Sequence, residues 1–412
     1  MDNHSLPSPL SGYRVLDFGW VLAGALPGMI LADMGAEVIK VESHKRMDYM
    51  RLGRPIIGDD PDPEQNPMFH NVNRGKLSIT LNTKEPKALT LVKELVSHCD
   101  ILIENFSPGV MGRLGLSYEV LKNINPKLVM VSISSNGQSG PLRDLRAYAP
   151  SIGALSGLDS TIGYKPENTT SRPLGLKHAY GDICGALHSV FAILSALYNR
   201  LETGQGQYID LSMLRATVST MGAGLMEYEM TGRVLTPQGN YDPTMAPYGN
   251  YPCNEPDSWI SIAVRTEEEW QGLKEALNDA DWCELPIFNS RYQRLKHTAE
   301  LDIYMANYTS NHGPYELAEL LQSHKVAAIP VMNAEDRLSN QHFQARRLYS
   351  EIEHPSLGME PIFNLMWNFS DTPLRIQRHA PLMGEHNLEI FRDLLGLSIP
   401  EIEELKVEQV IW

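Results

Sequence analysis

Cysteine is scarce. Four occur in 412 residues, Cys99, Cys184, Cys253 and Cys283, and none stands in a CxxC pair. That spacing excludes a zinc knuckle and gives no basis for a disulfide framework. Scattered free thiols suit a reducing compartment, so a cytoplasmic location is expected. Positive charge is also short: 35 Lys and Arg face 50 Asp and Glu, for a net charge of −15. A chain this acidic lacks the field that bulk nucleic-acid binding needs, and no nucleic-acid partner is expected. Any anionic ligand must instead be met by a local basic patch. Long apolar runs are missing. The run Ala186–Leu197 is too short to span a bilayer and contains His188 and Ser189, and the opening MDNHSLPSPLSG has no basic region leading into an apolar stretch. Neither a membrane partner nor a signal peptide is expected. GxGxxG, P-loop, HExxH and G-x-S-x-G motifs are all absent, and no histidine pair has metal-ligand spacing, so no metal is expected.

What is present is an ordinary globular composition, 42% hydrophobic and 21% charged, on a chain long enough for more than one domain. Strand patterns at Tyr13–Phe18, Glu37–Glu42, Ile101–Ile103 and Leu128–Ser134 alternate with helical patterns at Ala25–Met34, expected to break near Pro27–Gly28, and at Lys84–Cys99. Such alternation implies an α/β fold with a parallel, doubly wound sheet and a ligand site at the strands' carboxyl ends. A long apolar helix over Ala186–Leu201 precedes a strand at Tyr208–Ser212. Pro237–Pro256, rich in Pro, Gly and Asn, reads as a loop or linker. A smaller α/β unit then opens with a strand at Trp259–Val264 and a helix at Glu267–Leu277, and Gln341–Trp412 returns to the larger one. The expected division is 1–225 for the first part of the large domain, 226–340 for linkers and small domain, and 341–412 for the return.

Gly181-Asp182-Ile183-Cys184-Gly185 stands immediately before the apolar helix. A helix N-terminus favours an anion, so Asp182 there would be held ionised and nucleophilic, with backbone donors at hand for a developing oxyanion. The flanking glycines would let another backbone or a bulky ligand approach closely. The alternative is that Asp182 is simply a helix cap. Asn105 and Phe106 follow a strand and could hydrogen-bond and stack on a purine, with Arg113 nearby for a phosphate; the alternative is a Pro-Gly turn beside a solvated arginine. Arg51, Arg74, Lys76 and Lys84 are candidates for the local basic patch, although each alone is more often a solvated face.

The stretches RVLDFGWVLAGALPGMILADMGAEVIKVE, NRGKLSITLN, DILIENFSPGVMGRLGL, SISSNGQSGP, GDICGALHSVFAILSALYNRLETGQGQYIDLSM, APYGNY and GEHN resemble, in this order, the class III (CaiB/BaiF, formyl-CoA transferase-like) family of CoA-transferases. The resemblance implies a Rossmann-like large domain built from both chain ends, a smaller α/β domain, and two interlocked subunits, as a homodimer or with a related chain. It implies an acyl-CoA and a small carboxylic acid as partners, coenzyme A as substrate with no permanently bound cofactor, and an aspartyl-CoA thioester on Asp182. It places Val21, Arg51, Leu81, Lys84, Asn105, Phe106, Arg113 and Leu114 near the coenzyme. Succinyl-CoA is an expected donor. Trp20, Leu22, Met47, Tyr49, Met50 and Met245 suggest a bulky or aromatic dicarboxylate, such as an aryl-succinate, as acceptor. Leu22 stands where formyl-CoA:oxalate enzymes have glutamine, which argues against oxalate. Three other readings remain. An α-methylacyl-CoA racemase would need a His-Asp pair where Tyr148 and Ala149 stand. A non-catalytic subunit should have lost Asp182. The third is a CoA-binding module without chemistry.

Overall fold

The structure is a computed structural model and describes residues 7–55, 57, 62–164, 174–176, 178–372, 374 and 376–412. The described residues fall into two compact units, one within 1–159, 175–234 and 345–412, the other within 160–174 and 235–344.

The first unit is organised by a six-stranded sheet. Its strands are β1 (Arg14–Asp17), β2 (Glu37–Glu42), β3 (Leu77–Thr80), β4 (Ile101–Glu104), β5 (Val129–Ser134) and β6 (Tyr208–Ser212), in the spatial order β3-β2-β1-β4-β5-β6. All neighbouring pairs are parallel, with Leu16 opposite Ile39 on one side and Leu102 on the other. Parallel strands need crossovers, and these supply the helices α1 (Val21–Asp33), α2 (Tyr49–Leu52), α3 (Pro67–Asn73), α4 (Pro86–Ser97), α5 (Val110–Arg113), α6 (Tyr118–Ile124), α7 (Ala149–Ser156) and α8 (Tyr180–Thr203), followed after β6 by α9 (Met213–Val218) and α10 (Gly222–Thr231). Covered on both faces, β5 buries all six residues of VMVSIS. Leu16, Ile39, Ile79 and Leu102 pack with α4 in one core cluster, while Val15, Val38, Ile101 and Val129 pack with α1 and α8 in another. Strand order reverses between β1 and β4, and in open α/β sheets the crevice outside that reversal is where ligands bind.

The chain's last part completes the sheet edge. Ser78 N donates to His386 Nδ1 at 3.2 Å, His386 N donates to the Ser78 carbonyl at 2.9 Å, and Thr80 N donates to Asn387 Oδ1 at 2.8 Å. The Gly-Glu-His-Asn segment thus satisfies β3's outer edge, which would otherwise present unpaired backbone. The expectation of a sheet built from both chain ends is corrected: all six strands lie within residues 14–212, and the C-terminal segment joins the same unit by bonding to the edge of β3.

Several local expectations change. Helix α1 runs unbroken through Pro27 and Gly28. A Cβ at Gly28 would lie 2.5 Å from Asp17 Oδ2, and one at Gly24 would lie 2.5 Å from Asn105 Oδ1. These glycines leave room for polar side chains from the sheet, and do not end the helix. β3 was absent from the expected strand series. The apolar helix begins at Tyr180, six residues before the expected Ala186, so Asp182 lies inside its first turn.

The second unit has an antiparallel sheet of β7 (Tyr248–Pro252), β8 (Trp259–Ala263) and β9 (Ala327–Pro330) in that order. Ile260, Ile262, Leu273, Leu301 and Leu321 form its core. β7 lies inside Pro237–Pro256, which the composition had given as loop throughout; five residues of it pair with β8.

Candidate active site

Connectivity brings the candidate residues to one edge. A crossover helix between parallel strands runs antiparallel to them, so its first turn lies at the strands' carboxyl ends. Helix α8 joins β5 to β6 in this way and packs against both strands and α1. Asp182 in its first turn therefore shares the carboxyl edge with Val21 after β1, Arg51 after β2, Leu81 and Lys84 after β3, and Asn105 to Leu114 after β4.

Asp182 is not a cap. The N-cap position belongs to Ala179, and Asp182 is the third residue of the helix. The dipole at that position favours the carboxylate. Burial acts the other way and pushes its pKa up to about 6. Among the described residues no cation pairs with it, so burial is not offset. A carboxyl titrating near 6 is still about nine-tenths ionised at pH 7, and its weak solvation raises its basicity and hence its nucleophilicity. The sequence had suggested only that Asp182 is ionised; the structure adds that it is destabilised.

The flanking glycines serve packing. A Cβ on Gly181 would meet Ile152 Cγ2 of α7 at 2.7 Å, and one on Gly185 would meet Met213 Cγ of α9 at 2.6 Å. They let α7 and α9 close on α8, which fixes the helix end that carries Asp182. Of the two neighbours expected at these glycines, another chain segment or a ligand, the contacts seen are with neighbouring helices.

Leu81, Phe106 and Leu114 meet in one apolar cluster, with Leu81 fully inside and the other two packed against it. Phe106 also stands edge-on to Phe18, at 6.2 Å, and to Trp20, at 6.3 Å. Lys84 and Arg113 are exposed and carry no ion pair among the described residues. They remain available to an anion. Arg143 approaches the same turn as Arg113: a Cβ on Gly109 would lie 3.2 Å from Arg113 Nη1 and 3.7 Å from Arg143 Nη2. Sequence reasoning passed over Arg143, whose separation from Gly109 along the chain hides the proximity.

The rest of the expected basic patch is consumed internally. Arg51 is buried. Nε and Nη2 grip both Glu42 oxygens at 2.9 and 2.8 Å, Nη2 also donates to the Pro381 carbonyl, and Nη1 donates to Glu64 Oε2 and the Pro63 carbonyl. All five guanidinium N–H groups are thereby used, so Arg51 has no donor left for a phosphate. Burial pushes the Glu42 carboxyl up, but Arg51, Lys40 and the Ser78 hydroxyl outweigh it and hold the group below its ordinary value. Arg74 pairs with Asp33 at 2.7 Å and Lys76 with Asp17 at 2.7 Å, all four buried. Asn105 is similarly engaged: Oδ1 accepts from Trp20 N at 2.8 Å, and Nδ2 donates to the Trp20 carbonyl at 2.9 Å. Its amide ties the β1 and β4 loops together across the strand-order reversal, and these bonds use one of its two N–H donors.

Tyr148, at the position where a racemase would need its base, is 80% exposed and followed by Ala149. No imidazole stands there, so the racemase reading finds no base. No group of His, Cys, Asp and Glu suited to a metal occurs among the described residues.

The carboxyl edge of an open α/β sheet thus carries a desolvated carboxylate, an apolar cluster and two cations that have no ion pair among the described residues. Residues 10–387 match CoA-transferase family III, and the chain belongs to that family. It is similar to the succinyl-CoA–D-citramalate CoA-transferase of Chloroflexus aurantiacus, at 34% identity over 411 residues with both chains fully covered. The succinate–glutarate CoA-transferase of Agrobacterium fabrum is 32% identical, with 94% of this chain and 96% of the other covered. A CaiB/BaiF family protein from Brucella suis has the same fold, with a TM-score of 0.86, 30% identity, and coverage of 94% of this chain and all of the other. The protein is a class III CoA-transferase.

Proposed function

We propose that the chain moves CoA from succinyl-CoA to a dicarboxylic acid through an aspartyl-CoA thioester on Asp182. The observation that carries the chemistry is the first-turn carboxylate of α8, raised by burial to about 6 with no ion pair among the described residues. A carboxylate oxygen attacks the donor thioester carbonyl; the C–S bond breaks, and CoA thiolate departs from a mixed anhydride. The thiolate attacks the aspartyl carbonyl of that anhydride and expels the donor acid, leaving aspartyl-CoA. The acceptor carboxylate displaces CoA thiolate from it to form a second anhydride. The thiolate then takes the acceptor acyl group and regenerates the Asp182 carboxylate. Thioester and anhydride are exchanged at every step, so no ATP is needed, and holding the thiolate in place supplies effective concentration. Lys84 and Arg113 are assigned to the coenzyme's phosphates, and Val21, Leu81, Phe106 and Leu114 to its apolar contacts. Asn105 and Arg51 hold the loops that carry those contacts.

The acceptor reading rests on two supports. The relatives named above are called succinyl or succinate enzymes with dicarboxylic partners, citramalate and glutarate. Trp20 and Tyr49 stand edge-on at 6.1 Å, with the Arg46 guanidinium 4.8 Å from the Trp20 ring, a setting of apolar rings and one cation that suits an alkyl- or aryl-substituted succinate. We expect substituted succinates to exceed oxalate in kcat/KM by at least about tenfold, or about 1.4 kcal/mol. An acceptor panel with succinyl-CoA as donor measures this, and equal or better turnover of oxalate would refute it.

The assembly is read as a dimer, of two copies or with a related subunit. Phe191 and Tyr198 on α8 are 73% and 72% exposed, and Met230 on α10 is 77% exposed. Large apolar residues left this open mark an interface. Light scattering of the purified chain should return twice the 46.2 kDa chain mass. The single-chain mass would contradict the homodimer and leave the heterodimer.

A further inference from the structure

The turn between β1 and α1 is held largely by side chains, with one backbone bond, Gly24 N to the Trp20 carbonyl at 3.2 Å. Gly19 N donates to Asp17 Oδ1 at 2.7 Å, and the Gly19 carbonyl accepts from Lys40 Nζ at 2.7 Å. Trp20 N and O both bind the Asn105 amide. Val21 N donates to the two Asp48 oxygens at 3.1 and 3.2 Å. Five successive backbone groups are thus gripped by residues from β1, β2, the β4 loop and the cap of α2. Lys40 and Asp48 face each other at 3.4 Å with fully buried side chains. Asp48 Oδ1 also caps α2 through Met50 N at 3.0 Å. At the end of the turn Val21 has φ 53°, in the left-handed region. A β-branched residue is rarely found there, and persists only where its surroundings over-determine it.

A glycine would fill that backbone conformation without strain. The chain instead has valine at this point and encloses two opposite charges beneath it, an arrangement whose desolvation its own attraction rarely outweighs. Stability alone does not account for it. We propose that the buried Lys40–Asp48 pair is a positioning device: it holds the Gly19–Val21 turn in one conformation, so that the first residue of α1 meets the coenzyme's acyl end in fixed register with Asp182. This rests on the assignment of Val21 to the coenzyme. The strain at Val21 and the burial of the pair are then two parts of one arrangement for presenting a rigid surface to the reacting thioester.

The test separates backbone freedom from side-chain loss. The readout is exchange of isotope-labelled succinate into succinyl-CoA by the whole enzyme, with melting temperature and hydrogen exchange followed in parallel. Val21→Ala and Val21→Gly both lose the isopropyl contact and should raise KM to a similar degree. Val21→Gly alone frees the backbone and should lower kcat at least tenfold below Val21→Ala without lowering the melting temperature. Lys40→Met and Asp48→Asn should each lower kcat tenfold or more and speed exchange of the Trp20 and Val21 amides by at least tenfold. Equal kcat for Val21→Gly and Val21→Ala would overturn the proposal, as would unprotected Trp20 and Val21 amides in the wild-type enzyme. The amide measurement needs no substrate, and the kcat comparison needs no intermediate. Failure of the aspartyl-CoA reading, seen as a missing adduct on Asp182, is therefore distinct from failure of this one.

Discussion

Asp182→Ala should lower CoA transfer by at least about a thousandfold while CoA still binds, because a covalent route loses its only nucleophile while the phosphate contacts stay intact. Lys84, Arg113 and the Leu81–Phe106–Leu114 cluster lie on other elements and do not depend on the carboxylate. Steady-state kinetics with isothermal titration of CoA would separate the two effects. A parallel loss of binding and turnover would place Asp182 in the binding surface instead. The same carboxyl sets a pH profile. On the proposed route its reactive form is the anion, and burial places its pKa at about 6. Turnover should therefore be nearly level above pH 7 and fall about tenfold per unit once the pH is well below 6. Folding responds in the opposite sense. A carboxyl raised from 3.8 to about 6 makes the folded state bind its proton more tightly than the unfolded state does. Its cost is absent below pH 4, develops between 4 and 6, and persists at neutral pH, where it reaches at most about 3 kcal/mol. Asp182→Asn should thus be more stable than wild type at pH 7 and inactive, a trade expected of a site that holds a poorly solvated charge.

Arg51→Ala should cost about 3–5 kcal/mol of stability, because Glu42 would be left buried without its bidentate partner. Among the described residues no other cation forms an ion pair with Glu42. The Ser78 hydroxyl donates to Glu42 Oε2 at 2.9 Å, but one neutral hydrogen bond does not offset a buried charge. Arg51 also covers the Phe69 ring at 3.7 Å, so truncation removes packing as well as charge. Denaturant unfolding of the larger unit measures the loss. A variant of wild-type stability with a raised KM for succinyl-CoA would return Arg51 to the coenzyme's contacts, where the family resemblance had placed it.

The contrast between Arg51 and Arg113 marks how far the sequence could be read. Strands such as EVIKVE and VMVSIS declare themselves through apolar and β-branched residues, and their alternation with helices gave the parallel sheet. LSIT did not, being four residues long with a Ser and a Thr among them. Pro27–Gly28 read as a break because a glycine that ends a helix and one that admits a neighbour look alike in one dimension; here Asp17 fills the space. Basic residues were harder still. Arg51, Arg74 and Lys76 looked like surface cations, and only the fold reveals Glu42, Asp33 and Asp17 against them. A signal for the buried network did exist. Asp17 and Lys40 lie within strands of a sheet covered on both faces, where a charge must find a partner. Asp182 was visible from its motif, but its raised pKa was not, since that depends on what packs around the first turn of α8.

Mass analysis of the purified enzyme after incubation with succinyl-CoA, with the modified peptide sequenced, tests the covalent route most directly. We predict an adduct of CoA or acyl origin on the peptide containing Asp182, absent from Asp182→Ala. An unmodified Asp182 peptide in an enzyme that is turning over succinyl-CoA would contradict it.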